Sequence, residues 1–259
     1  IWMSERDGYQ HLYLYDLKGN LIRQLTKGDY MVQSSAGRLV DLNGGLVGVD
    51  EEAGWFYFTS NKKAQQERHL YRSTLSGGDP IPLTRGRGIH IVTFSPGLDR
   101  YLESYSDAAA PPSLAVYDAA GRFQGEVSPS AASVLDKYDF TPPEFSTYPT
   151  EDGLNIPIML TKPADFDPEK KYPVVVYVYG GPGSQQVLDQ WARWMLWNGI
   201  LAQEGSVEVV MDVRTGMGVS KALESSEHGR IYGLQNVRDL MDGVNWLKSL
   251  PYICLLYTS

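Results

Sequence analysis

Two short motifs recur along this chain at one spacing, and that spacing restricts the fold more than any other feature. His11-Leu-Tyr13 returns as His69-Leu-Tyr71 and Leu25-Thr26 returns as Leu83-Thr84, each pair 58 residues apart. A fainter third copy, Leu114-Ala-Val-Tyr-Asp-Ala-Ala-Gly121, matches Leu12-Tyr-Leu-Tyr-Asp-Leu-Lys-Gly19 at a spacing of 102. Each copy runs from an alternating strand through an Asp-x-x-Gly or Gly-Gly turn into a second strand ending near Leu-Thr. Further strand candidates, Trp55-Phe-Tyr-Phe-Thr-Ser60 and Tyr101-Leu-Glu-Ser-Tyr105, lie between the copies. Repeats of about 40–60 residues built from four short strands are the pattern of β-propeller blades. The alternative is a two-sheet sandwich whose hairpins coincide by chance. A closed ring needs about 4–8 blades. Residues 1–137 supply two to three, so either sequence before Ile1 completes the ring or the fan is open, with exposed edges.

From about Tyr138 the pattern changes. Phe145 to Leu160 reads as a hairpin turning at Glu151-Asp-Gly153. Two unbroken apolar strands follow, Val174–Tyr179 and Val207–Val213, separated by a helical segment around Gln190–Gln203. Strands apolar on both faces and alternating with helices argue for a parallel sheet covered on both sides. Asn236 to Leu250 carries apolar residues at Val237, Leu240, Met241, Val244, Leu247 and Leu250, the spacing of an amphipathic helix, and Pro251 ends it. A third buried strand is expected next. The residues Cys254-Leu-Leu-Tyr-Thr-Ser259 resemble translated vector sequence, so the second domain is drawn over 138–253 and 254–259 is set apart as a non-native tail.

Composition excludes several classes of function. The formal net charge is −8 and the basic residues are scattered, which leaves no cationic stripe for nucleic acid. No apolar run approaches the ~20 residues of a membrane helix, so no membrane segment is expected. With Cys254 as the single cysteine there is no intrachain disulfide, and no histidine pair has ligand spacing, so neither a metal nor another cofactor is expected. The chain begins at Ile1 without a leader pattern. Either a signal peptide has been removed or the start lies upstream.

Tyr172-Pro-Val-Val-Val-Tyr-Val-Tyr-Gly-Gly-Pro-Gly-Ser184 joins a buried-type strand to a glycine-rich turn that opens with Tyr179. Three uses are open. The turn could cradle phosphate, although no phosphate-loop pattern is present and Pro182 removes an N–H that such a nest wants. It could simply be tight. Or it could be an oxyanion loop in which the Tyr179 hydroxyl donates to a tetrahedral intermediate, a task a phenol can perform because it keeps its proton at neutral pH. Asp212-Val-Arg-Thr-Gly-Met-Gly218 follows the other buried strand, where ligand-facing loops of open α/β sheets lie. Asp212 and Arg214 are read there as an ion pair or loop brace. His11 and His69 hold equivalent repeat positions and are read as structural. His90 and His228 are read as surface residues, and Glu51-Glu52 as a solvated turn. No Gly-x-Ser-x-Gly occurs among the 259 residues.

Taken together, the repeat, the Tyr179-Gly-Gly-Pro-Gly-Ser184 turn, the Asp212-x-Arg214-x-Gly216 loop and the Gly229 to Asp239 segment resemble the prolyl oligopeptidase family of serine peptidases, in its dipeptidyl peptidase IV branch. The resemblance covers residues 1 to about 253. It implies the last two to three blades of a β-propeller followed by the N-terminal part of an α/β-hydrolase domain. The activity it implies is release of N-terminal dipeptides with Pro or Ala at the second position. Tyr179 falls on the family's oxyanion tyrosine, and Asp212 and Arg214 on a structural loop beside the active site. The nucleophilic Ser, the Asp and the His that the family requires are expected beyond Ile253, and the Glu pair that holds the substrate amine is expected upstream. The chain is therefore expected to be an inactive fragment. Peptide substrates, export to the periplasm and room for a homodimer in the full-length protein are further implications of the resemblance. Alternatives are an acylaminoacyl peptidase or endopeptidase of the same family, and a non-catalytic propeller binding module on a hydrolase-like scaffold. A proline iminopeptidase-type hydrolase shares the Gly-Gly-Pro-Gly turn but lacks the propeller.

Overall fold

The computed structural model describes residues 1–33, 45–181, 183–192, 194–216, 218–229 and 233–254. Its first half is three antiparallel sheets in series. The first joins β1 (Trp2–Ser4), β2 (His11–Tyr15) and β3 (Leu21–Gln24). The second joins β4 (Leu46–Asp50), β5 (Trp55–Ser60), β6 (His69–Thr74) and β7 (Ile81–Pro82), and the third joins β8 (Ile89–Phe94), β9 (Arg100–Asp107), β10 (Ala110–Asp118) and β11 (Phe123–Ser128).

The repeated residues make repeated bonds. Thr26 Oγ1 accepts from the Leu12 amide at 3.0 Å and lies 3.1 Å from His11 Nδ1. Thr84 Oγ1 accepts from the Leu70 amide at 3.1 Å and lies 3.0 Å from His69 Nδ1. Each histidine donates from Nε2, His11 to the Gly28 carbonyl and His69 to Glu67, so each Nδ1 is left to accept the threonine proton. The bracket ties the end of one strand to the start of another where ladder bonds run out. Equivalent places in the third copy hold Ser113 and Ser128, which retain the strand register but not the bracket. The turns repeat as well. Asp16 Oδ1 accepts from the amides of Lys18 and Asn20, and Asp118 Oδ1 from those of Ala120 and Arg122. Gly19 and Gly121 close those turns at φ 84° and 79°, a backbone that favours glycine.

The middle sheet is buried on both faces. Phe56 and Phe58 point with Leu12, Val32 and Tyr71 into a core shared with the first sheet, whereas Tyr57 points with Leu70 and Leu83 towards Tyr101 of the third. A two-sheet sandwich buries one face of each sheet; serial face-to-face stacking is propeller-like. Each fully buried phenylalanine contributes about 1.5–3 kcal/mol of apolar transfer.

Burial holds both bracket histidines below the usual imidazole value of 6.5, the Gly28 carbonyl and Glu67 respectively opposing it. They are neutral when folded and charge readily when unfolded, so their contribution to stability is complete above about pH 6.5 and is lost as pH falls below it. The urea midpoint is therefore expected to drop between about pH 7.5 and 5.5, and His11→Gln/His69→Gln should flatten that drop. An unchanged pH slope in the double variant would refute the assignment.

His90 departs from expectation. It sits in β8, only 3 % exposed, with Nδ1 2.7 Å from Glu103 Oε1 on the neighbouring strand. A carboxylate 13 residues away engages Nδ1, Nε2 is buried without a partner among the described residues, and the ring stacks on Tyr105 and tilts against His69, so it is not a surface residue. His228 and the Glu51-Glu52 turn are exposed as expected.

After a 3-10 turn at Ala132–Lys137 comes a mixed sheet of β12 (Glu144–Pro149), β13 (Asn155–Thr161), β14 (Tyr172–Val178), β15 (Val207–Met211) and β16 (Ile253–Cys254), in the order β12-β13-β15-β14-β16. Helices α1 (Trp194–Gln203), α2 (Lys221–Glu224) and α3 (Leu234–Ser249) complete the layer. Leu247 of α3 packs on Ile156, Ile158, Val209 and Met211, while Met195 of α1 packs on Met159 and Val210 of the opposite face. Only β14 pairs in parallel, with β15 and β16; β13 meets β15 antiparallel because the β12–β13 hairpin docks on that edge. The two apolar strands are parallel as expected, and the hairpin on their edge makes the sheet mixed.

Yet β14 is not covered throughout. β16 reaches only Tyr172 and Pro173, so Val175 to Val178 have one paired neighbour among the described residues and are 38–50 % exposed. On α3, Val237 and Met241 of the expected stripe are also exposed, whereas Asn236, Asp239 and Gly243 are buried. The first half of this helix docks polar groups against loops. Cys254 pairs with Pro173 as a strand residue, and residues 255–259 of the expected tail lie outside the described residues.

Candidate active site

Parallel pairing sets the C-terminal ends of β14 and β15 side by side, Val178 opposite Met211, so the loops that follow them are neighbours. Tyr179 opens the first loop. Its side chain is half exposed, and its hydroxyl makes no hydrogen bond among the described residues. The ring lies over Gly181, where a Cβ would come within 2.8 Å of Cε1, so a side chain there would displace the phenol. Gly180 and Gly183 both adopt φ 70°. Pro182 lies outside the described residues, as do 230–232 of the Gly229–Asp239 segment.

The second loop holds the first. Gly183 N–H donates to the Thr215 carbonyl at 3.1 Å. Asn236 Nδ2 donates to the Gly180 carbonyl at 3.3 Å, and Thr215 Oγ1 donates to Asn236 Oδ1 at 3.1 Å. Asp212 accepts from the amides of Gln186 (2.7 Å) and Val187 (3.2 Å). Burial pushes the Asp212 carboxyl up to about 7, against the pull of those two donors and of Arg68. Arg214 reaches elsewhere. Its Nη1 is 2.7 Å from Asp152 in the β12–β13 turn, and its Nη2 is 2.7 Å from the fully buried Asp239 of α3. These bonds, to Asp152 first and Asp239 next, raise the guanidinium above its usual range and hold Asp152 well below the carboxylate range. Asp212 and Arg214 are therefore two separate braces and not each other's partners.

The propeller-like part closes over the same loops. Asn61 Nδ2 donates to the Gly218 carbonyl at 2.9 Å, the Lys221 amide to the Gly8 carbonyl at 2.8 Å, and the Asp189 amide to the Gln66 carbonyl at 3.0 Å. Asp189 in turn accepts from Arg87 and from the Ala108 amide. Arg68, fully buried, reaches Gln185 at 2.7 Å. Asn61, Arg68, Arg87, Gln185 and Asp189 are not singled out by the sequence, since their partners are up to 157 residues away, and Asp239 stands there only as the end of the Gly229–Asp239 segment. Chemically, the arrangement presents at the open end of a parallel strand pair the Tyr179 hydroxyl, which has no hydrogen-bond partner among the described residues. Among the described residues no serine is hydrogen-bonded to a histidine, and no group of three acidic, His or Cys side chains could hold a metal.

This architecture has known counterparts. Residues 1–112 match the family model of the dipeptidyl peptidase IV N-terminal region. The chain is 31 % identical over 258 residues to a probable dipeptidyl-aminopeptidase B of Emericella nidulans, covering 95 % of this chain and 27 % of that protein. It is 28 % identical to dipeptidyl peptidase 8 of Mus musculus, covering 96 % and 31 %. The crystal structure of Porphyromonas gingivalis dipeptidyl peptidase 4 superposes with a TM-score of 0.86 at 29 % identity, over 97 % of this chain and 34 % of that one. The chain belongs to the dipeptidyl peptidase IV-like peptidases of the prolyl oligopeptidase family. It spans about a third or less of the length of these relatives. Among its described residues no helix is long and apolar enough to cross a membrane.

Proposed function

We propose that this chain is part of a serine exopeptidase that releases N-terminal dipeptides with Pro or Ala at the second position by acyl transfer. In this reading residues 1–137 are the last two to three propeller blades and 138–253 the N-terminal part of an α/β-hydrolase domain. Tyr179 supplies an oxyanion donor. The observation that carries the reading is Tyr179 at the end of β14, half exposed, its hydroxyl without a partner among the described residues and its ring against Gly181. A developing oxyanion needs a donor that is already aimed and not spent on the protein. The nucleophile and its base lie outside these 259 residues, which hold no Gly-x-Ser-x-Gly.

The test compares the complete enzyme with the chain alone on Gly-Pro and Ala-Pro chromogenic substrates and on their N-acetylated forms. The complete enzyme should cleave the free-amine forms only, and the chain should cleave none. Without Ser and His the rate falls by on the order of a millionfold. Equal cleavage of the acetylated forms would move the assignment to an acylaminoacyl peptidase or endopeptidase. Cleavage by the 259-residue chain itself would overturn the placement of the nucleophile.

A further inference from the structure

Arg68 is the largest fully buried side chain among the described residues, and it belongs to the propeller-like part. Its backbone is pinned between the second and third sheets, the amide donating to the Gly88 carbonyl at 3.1 Å and the carbonyl accepting from the His90 amide at 3.0 Å. All five guanidinium donors can be accounted for. Nη1 donates to the carbonyls of Gln65 (2.9 Å) and Glu67 (2.7 Å), and Nη2 to Gln185 Oε1 (2.7 Å). Gln33, with its carboxamide oxygen turned inward, accepts from Nε at 2.9 Å and from Nη2. Among the described residues no carboxylate touches the guanidinium, and its one electrostatic partner is Asp212. A buried charge held mostly by neutral acceptors is costly to maintain unless its geometry is used.

What the geometry fixes is Gln185, itself 2 % exposed. Its Oε1 takes the Arg68 bond, and its Nε2 donates to the Gln65 and Val187 carbonyls, both at 3.1 Å. Gln185 follows Ser184 at the end of the Tyr179 turn, and the next two amides are clamped by Asp212. Space is tight, since a Cβ on Gly218 would meet Gln185 Oε1 at 3.1 Å and Arg68 Nη2 at 3.5 Å. The Tyr179 turn is thus fixed on one side by Asn236 and Thr215 of its own domain and at its far end by an arginine of the other.

We infer that Arg68 is a positioning residue for the reaction, acting across the domain boundary through Gln185 to set where the Tyr179 hydroxyl sits. The inference rests on the proposed role of Tyr179. It assigns the propeller-like part a share in the chemistry beyond enclosing the site.

The experiment is a double-mutant cycle in the complete enzyme with Arg68→Met, Tyr179→Phe and the pair. Arg68→Met should lower kcat by on the order of 10–100-fold, the cost of a small misplacement, with KM little changed. Arg68→Lys should recover part of that loss, because an ammonium restores the charge without the planar fork. In the Tyr179→Phe background the same Arg68→Met change should cost less than about twofold, since the group it positions is gone. An equal factor in both backgrounds would make Arg68 a merely structural residue and overturn the inference alone. A Tyr179→Phe enzyme with undiminished kcat would remove the Tyr179 reading and this inference with it. If Arg68→Met fails to fold, Gln185→Met breaks the same bond from the other side and is judged by the same two comparisons.

Discussion

Replacing Tyr179 by Phe in the complete enzyme should lower kcat by about 10²–10³-fold, the measured worth of a single oxyanion donor. The substitution is clean because the ring stays. Its contact with Gly181 and the φ 70° turns at Gly180 and Gly183 do not depend on the hydroxyl, which has no partner among the described residues. A donor that engages only the developing oxyanion is felt in kcat and not in substrate binding, so KM should stay within about threefold. Steady-state kinetics on a Gly-Pro substrate read both numbers. A fall in kcat of less than about threefold, or a loss seen only in KM, would show that the hydroxyl is not the donor.

Arg214→Met should destabilise the chain by about 3–5 kcal/mol, because it leaves Asp239 buried and without its cation. Asp239 is 0 % exposed and receives Nε and Nη2 of Arg214 at 2.7–2.9 Å. What remains to it is the Arg214 amide at 3.1 Å and a long contact from Gln235 at 3.4 Å. The other arm of the brace matters less. Asp152 keeps 53 % of its side chain in water, which solvates it whether or not the arginine is present, so Asp152→Asn should shift the unfolding midpoint only slightly. Urea unfolding of the two variants beside the parent measures both. A cost below about 1 kcal/mol for Arg214→Met would mean that water reaches Asp239.

The strands were legible because their information is local. Trp55–Ser60 is β5 to the residue, and the Phe145–Leu160 hairpin turns where Glu151-Asp-Gly153 places it, since alternation and turn chemistry act over a few residues. The same locality hid His90, which looks like linker until Glu103 arrives on the next strand. It hid the mixed character of the second sheet too. An apolar run shows that a strand is buried, but not which edge a preceding hairpin will take. In the proposed site, the glycine-rich context of Tyr179 singles it out as a candidate, and Asp212 and Arg214 stand out by their place after a strand. Arg68 does not. Flanked by Glu67 and His69, it reads as a surface charge, and only the folding of residues 117 positions away gives it a buried carboxamide.

The Thr26 and Thr84 brackets have a further consequence. Each is closed by partners only 14 or 15 residues apart, so the sheet that carries one fastens its own strand ends without help from a neighbour. A stretch of DNA encoding such a unit carries its fasteners with it when it is copied in tandem. The copy brings its own internal fasteners to its parent, and Ser113 and Ser128 mark the one copy that stands without them.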